Sequence, residues 1–189
     1  TRDGADADSV RALTADPRVR YLHEPRPGIC CARNAGLAAA RGEYVALIDD
    51  GLPGANIAQI GLASFANSKK MHEDAVAAGN LVITIGEVGL NGIAGAIERA
   101  LAHVEHCEAI VVDCDIDVID RSQLPGAPGA RPGGMVVKDF FKAVRFLAFQ
   151  RAVRVIDLTE WDPPLDPTDL SALTAARWAA ECLAGFEAR

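Results

Sequence analysis

The sequence predicts an α/β fold built on a mostly parallel β-sheet covered on both sides. Three observations lead there. Short apolar runs of strand length alternate with longer segments of helical periodicity. Those strand-like runs are nearly all apolar instead of alternating in polarity, as strands buried on both faces are. Half of the 189 residues are hydrophobic, which suffices for one good core or two small ones.

Residues 19–22 and 44–48 read as short strands, and the alanine-rich stretch 32–41 between them suits a helix. The turn signal Leu52-Pro53-Gly54-Ala55 follows. Residues 57–62 and 81–85 read as strands flanking a helix over 69–78. Asn91 is placed to cap the next helix, where Ile93, Ile97, Leu101 and Val104 recur at helical spacing. A strand over 109–114 comes next, then a helix with Phe140, Val144 and Leu147 on one face. A strand over 153–158 leads to a last helix, whose expected core face is Leu173, Ala176, Ala180 and Leu183.

Composition excludes several function classes. The formal net charge of −7, without a compensating basic patch, argues against nucleic-acid and acidic-membrane partners. No apolar run approaches the roughly 20 residues of a membrane helix, and the charged, turn-rich start does not read as a signal peptide. The first residue, Thr1, suggests a trimmed or fragmentary product. Five cysteines (Cys30, Cys31, Cys107, Cys114, Cys182) form no CxxC and cannot all pair, which favours a reducing cytoplasm over a disulfide framework.

The run VVDCDIDVID (111–120) crowds Asp113, Asp115, Asp117 and Asp120 onto the end of an apolar strand. In an extended chain Asp113, Asp115 and Asp117 would point to one side. Their repulsion needs a remedy: protonation, basic neighbours, water or a bound cation. Ligands of open α/β sheets sit beyond the carboxyl ends of the strands. Asp157 and Glu160 end the strand over 153–158, so two acidic strand ends can share one site. Oxygen-only ligands suit Mg²⁺ or Mn²⁺ better than zinc.

At these residues the chain resembles a known family. DCDIDVIDRSQLPGAPGARPGG (113–134) is similar to the aspartate-rich signature of the ureohydrolase superfamily (arginase, agmatinase, formimidoylglutamase), and VIDLTEWDPPLD (155–166) to that family's later acidic stretch. QIGLASFANS (59–68), VITIGEVGLNGIAGAIERAL (82–101) and LTAARWAAECLAG (173–185) extend the resemblance from about residue 59 to the end. It implies a three-layer α/β/α fold, incomplete here, and manganese-dependent hydrolysis of guanidino or formimino carbon–nitrogen bonds in a small amidine substrate. It also implies roles: Asp115 as a metal-bridging ligand, Asp117 as a ligand of one ion, and Glu160 as the carboxylate gripping the amidine. Asp120 would be structural, and Asp157 would support the ligands from behind. A homo-oligomer is compatible with it.

The family's other metal ligands lie in Gly-Gly-Asp-His and Asp-Ala-His-x-Asp motifs, which this chain lacks. Its histidines, His23, His72, His103 and His106, match no such motif; His103 and His106 fall at a helix end, where histidines compensate the dipole. Weak Mn²⁺ binding as a single ion, without turnover, is therefore expected.

The amino-terminal part resembles something else. DPRVRYLHEPRPGICCARNAGLAAARGEYVALIDD (16–50) is similar to family 2 glycosyltransferases of the GT-A type. That resemblance implies that Asp49 and Asp50 are counterparts of the aspartates holding the metal of a nucleotide-diphosphate sugar, with Asp3 or Asp6 near the base. GICCARNAG lacks the P-loop lysine and reads as a helix entry, with Cys30 and Cys31 as small core residues. The expected organisation is a glycosyltransferase-like segment over 1–56 joined to a ureohydrolase-like half over 57–189. Strands at 57–62, 109–114 and 153–158 are expected to run parallel, with Asp115, Asp117 and Glu160 facing one cavity.

Overall fold

The computed structural model describes residues 52–189. The expected elements at 19–22, 32–41 and 44–48 lie outside the described residues, as do Asp3, Asp6, His23, Cys30, Cys31, Asp49 and Asp50.

A 3-10 turn at Gly54–Asn56 leads into β1 (Ala58–Leu62), and α1 (Lys69–Ala77) connects it to β2 (Leu81–Thr84). β1 and β2 pair in parallel, with Ala58 opposite Leu81 and Ile60 opposite Ile83. The ladder slips between Ile60 and Leu62, at Gly61, whose φ of 94° L side chains rarely adopt. A side chain at Gly61 would also strike Val118. Ser68 caps α1 by accepting from the Met71 N–H, and the helix buries none of its residues.

α2 (Ile85–His103) begins earlier than the sequence reading places it. Thr84 ends the strand and caps the helix: its Oγ1 accepts from the Glu87 N–H (3.3 Å), while Glu87 Oε2 accepts from the Thr84 N–H (2.9 Å). This reciprocal box fixes the start at a T-x-x-E signature. The helix is interrupted at Gly92 (φ 74°, ψ 158°), and the expected segment from Ile93 is its second part. Ile93, Ile97 and Val104 are buried and Leu101 packs against the core, as the periodicity predicts, and Ala96 and Ala100 are buried with them.

β3 (Ile110–Asp115) runs parallel to β4 (Val153–Thr159), with Val112 opposite Ile156 and Cys114 opposite Leu158. Between them lie a 3-10 turn at Ile116–Val118, a long loop and α3 (Val137–Phe149). The chain ends in α4 (Leu170–Glu187). The α/β class and parallel pairing agree with the sequence, but the strands form two two-stranded sheets, β1–β2 and β3–β4. One apolar cluster spans both, joining Ile83 and Ile97 to Cys114, Ile116, Phe140, Val144 and Cys182.

The last helix presents the opposite face to the one expected. Ser171, Thr174, Ala175, Cys182 and Gly185 are buried, whereas Leu173 and Leu183 are 67% and 63% exposed and Ala176 and Ala180 are also exposed. The reason is close approach. Gly185 lies against Ala148 and the Arg145 carbonyl of α3, where a Cβ would come within 2.5 Å of Ala148 Cβ. Buried Glu181 is compensated by Arg177 (2.6 Å) and Arg145 (3.3 Å). Small residues and a neutralised carboxylate pack α4 on α3, a choice that apolar spacing alone cannot reveal.

These two faces are separable by mutation. Gly185→Val is expected to cost about 1–3 kcal/mol by overpacking, and Leu173→Gln less than about 0.5 kcal/mol in the monomer. Urea denaturation of the two variants measures both.

Candidate functional site

The aspartate-rich segment sits at the carboxyl end of the β3–β4 ladder. Along β3, Cys114 is buried in the core, while Val111, Asp113 and Asp115 are exposed on the other side. The alternation expected to align three aspartates therefore applies to two. At Asp117 the backbone has entered the 3-10 turn, and the Asp117 N–H donates to Asp115 Oδ1 (3.3 Å).

Register brings the two acidic strand ends together. Asp113 is opposite Asp157 and Asp115 is opposite Thr159, so Glu160 follows directly beyond the level of Asp115. Thr159 Oγ1 donates to Asp113 Oδ1 (2.7 Å). Asp157 is half-buried, and its Oδ1 has no hydrogen-bond partner. Burial, then the facing Asp113 carboxylate, pushes the Asp157 pKa up. Burial and the neighbouring Asp117 carboxylate likewise raise Asp115 to about 7. Glu160 is exposed and adopts a left-handed backbone (φ 60°), a strained conformation for a residue other than glycine. Of the three carboxylates expected to face one cavity, Asp115 and Glu160 are exposed and Asp117 is half-buried.

Asp120 has a different environment. Its carboxylate accepts from Ser122 N–H (2.9 Å) and Oγ (2.5 Å), Gly133 N–H (2.7 Å) and Gly134 N–H (3.2 Å). These bonds, those from Ser122 first, hold its pKa below the usual carboxylate range. The Pro/Gly stretch 125–134 is accordingly an ordered loop. Arg121 Nη1 donates to the carbonyls of Ala127 (3.2 Å), Pro128 (3.3 Å) and Ala130 (3.4 Å), and Leu124, Ala127 and Ala130 are buried.

The same loop reaches both the aspartates and the end of β4. Gly129 lies so close to the Asp117 carboxylate that a Cβ there would collide with it. The Gly126 N–H donates to buried Ser171 Oγ (2.8 Å), and the Asp162 N–H donates to the Gly126 carbonyl (2.8 Å). Asp166 accepts from the Ser171 N–H (2.6 Å) and from Thr168, contacts that hold its carboxyl well below the usual range. Sequence reading missed Arg121, Gly129, Thr159 and Asp166. Thr159 had a signal, since it lies two residues from Asp157 on the same strand face.

The histidines are placed elsewhere. His103 Nε2 lies 3.4 Å from the Gly54 carbonyl and His106 Nε2 lies 2.8 Å from Asn56 Oδ1. Both therefore tie the end of α2 to the turn before β1, at the amino ends of the strands and opposite the aspartates. His72 lies in the first turn of α1. Among the described residues, no three His, Cys, Asp or Glu side chains are grouped so as to hold a metal ion. Asp115 and Asp117 offer two ligands where a hard cation takes about six, so these residues alone do not fit a two-ion centre.

The raised carboxyls have a pH signature. Between about pH 4 and pH 7 the native state keeps protons on Asp115 that the unfolded chain releases, so stability should fall as pH rises through that interval. Asp157 adds a slope of the same sign. Asp120 works in reverse, its contribution being lost as pH falls below about 4. Asp115→Asn is expected to flatten the decline of Tm toward pH 7 without abolishing it, as thermal melts across pH would record.

The chain has relatives among known proteins. The model of the Arginase family matches residues 27–185, and that of Glycosyl transferase family 2 matches residues 2–51. Formimidoylglutamase from Bacillus subtilis (strain 168) is 29% identical over 137 residues, 72% of this chain and 43% of the relative. Formimidoylglutamase from Halalkalibacterium halodurans is 30% identical over 144 residues, 75% of this chain and 45% of the relative. The chain thus spans less than half the length of these curated relatives. The crystal structure of the Bacillus subtilis formimidoylglutamase superposes with a TM-score of 0.69 at 29% identity, over 71% of this chain and 43% of that one. A Trypanosoma cruzi formiminoglutamase crystallised with Mn²⁺ shares the fold, with a TM-score of 0.69 at 16% identity over 75% of this chain and 46% of that one. With a family model matched over most of its length, the chain belongs to the arginase family.

Proposed function

We propose that residues 57–189 carry the carboxyl-terminal part of an amidine-hydrolase site, of the kind that cleaves guanidino or formimino carbon–nitrogen bonds, with formimidoylglutamase as a model of its chemistry. The observation that carries this is the register of β3 with β4. It sets Asp115 level with Thr159, so that the proposed ligands Asp115 and Asp117 and the proposed substrate carboxylate Glu160 share one end of one ladder. Asp157 stands behind them, and Asp120 holds the following turn in shape.

Manganese is the proposed ion. With Asp115 and Asp117 as its two proposed ligands, the proposed role of this chain is that of an incomplete site, with weak binding of one ion and no turnover. A cytoplasmic setting, which keeps the cysteines reduced, suits this reading. No helix among the described residues is long and apolar enough to cross a membrane. The proposed division places a glycosyltransferase-like segment over 1–56. The match over residues 2–51 favours a second reading, in which Asp49 and Asp50 hold the metal of a nucleotide-diphosphate sugar.

Manganese titration of the full chain should give one weak site that Asp115→Asn removes and Asp120→Asn retains at lowered stability. Agmatine, arginine and formiminoglutamate should yield no urea or formamide. Two tight sites, or turnover, would overturn the incomplete-site reading. Manganese binding that depends on a nucleotide-diphosphate sugar and survives Asp115→Asn would favour the second one.

A further inference from the structure

The break in α2 at Gly92 is a corner. Arg99 Nη1 donates to Glu87 Oε1 at 3.2 Å, although the two residues are 12 apart in sequence. In one straight helix their Cα atoms would be about 18 Å apart, more than the two side chains together can span. The chain therefore turns sharply between them, and it does so at Gly92, whose φ of 74° and ψ of 158° suit glycine alone. Asn91 stands immediately before this corner, and no other asparagine of the sequence precedes a glycine. Asn91 and Gly92 are both exposed, and a Cβ at Gly92 would meet nothing within 4 Å. Asn56 and Asn80 are placed differently. The N–H that follows each is held, that of Ile57 by the Gly54 carbonyl (2.9 Å) and that of Leu81 by the Ile57 carbonyl (3.0 Å), and each of those residues carries a branched side chain.

We propose that Asn91 is a site of spontaneous covalent modification, converted through a cyclic imide to aspartate and isoaspartate. The Gly92 backbone nitrogen, on losing its proton to base, attacks the carbonyl carbon of the Asn91 side chain. The new carbon–nitrogen bond closes a succinimide ring, and the bond to Nδ2 breaks, so that Nδ2 leaves as ammonia with a proton from water. A second water then opens the ring at one of its two carbonyls. One cleavage gives aspartate, and the other gives isoaspartate, in which the main chain runs through the former side chain. In a continuous helix the attacking nitrogen is locked in the backbone ladder and cannot rotate toward the side chain without loss of hydrogen bonds. At the corner the helical backbone is already interrupted, and Gly92 has no Cβ to obstruct the rotation. The conversion also alters the corner. Either product places a carboxylate four residues from Glu87, an unfavourable like-charge pair on a helix. Isoaspartate further lengthens the main chain by a methylene at the turn that brings Glu87 to Arg99. The converted protein is therefore less stable than the fresh one. None of this depends on the proposed hydrolase reading.

Incubation of the full chain in mildly alkaline buffer, followed by peptide mapping with mass spectrometry, tests it. Asn91 is expected to convert at least about tenfold faster than Asn56 or Asn80, with isoaspartate among the products, as labelling by an isoaspartyl methyltransferase would show. The folded chain should convert no more than about tenfold slower than the same chain unfolded in urea. Asn91→Gln keeps the amide but has to close a larger ring, so it should stay unmodified and hold its Tm on incubation, whereas the Tm of the wild-type chain falls. An intact Asn91, or a folded chain more than about tenfold slower than the unfolded one, would overturn the proposal, since the corner would then protect its asparagine as a helix does. Equal conversion of Asn56 or Asn80 would also overturn it. A Tm that is unchanged after full conversion would overturn the consequence drawn for the corner.

Discussion

The parallel register of β3 with β4 is the constraint on which the rest of the described structure depends. It places Asp113 against Asp157 and Asp115 against Thr159. A slip of one residue would turn Cys114, Val112 and their partners out of the core and the carboxylates into it. Several unfavourable features are concentrated at the end of this ladder: an unpartnered buried oxygen on Asp157, crowded carboxyls at Asp115 and Asp117, and a left-handed Glu160. Such concentrations persist where the surrounding fold over-determines them. Here the surroundings are the Asp120 clamp, the Arg121 contacts to three carbonyls, and the Asp166–Ser171–Gly126 chain of hydrogen bonds.

Two carboxylates five residues apart thus do opposite physical work. Asp120 is surrounded by donors and stabilises its loop as an anion. Asp115 accepts a single backbone N–H, that of Asp117, while burial and the Asp117 carboxylate disfavour its anion. Sequence spacing treats the two alike. The difference comes from the number of donors turned toward each: Asp120 accepts from Ser122, Gly133 and Gly134, Asp115 from Asp117 alone.

The elements were legible where a local signal existed. The apolar runs gave β1 to β4 to within a residue or two, and Phe140 and Val144 identified the buried side of α3. The start of α2 was legible in Thr84 and Glu87 but was overlooked in favour of Asn91. The core face of α4 was not legible, because its contact rests on Gly185, Ser171 and a doubly paired Glu181, none of which an apolar count would choose. The division into two small sheets was equally hidden, since pairing partners follow from tertiary placement. Of the candidate site, Asp113, Asp115 and Asp157 were visible in the spacing, whereas the roles of Gly129 and Arg121 arise only when the loop closes over residues 113–120.

The closeness of Gly129 to the Asp117 carboxylate bears on how this loop tolerates sequence change. A glycine- and proline-rich stretch ordinarily accepts insertions and drift, because little is packed against it. Here the backbone at Gly129 forms the wall behind a carboxylate, Gly126 seats against a buried serine, and Gly134 against the backbone of Asp120. A side chain added at Gly126, Gly129 or Gly134 is transmitted to a carboxylate or its support. Its composition is thus a record of shape, and a grafted loop of equal flexibility but different contour would leave the strands intact and the acidic end displaced.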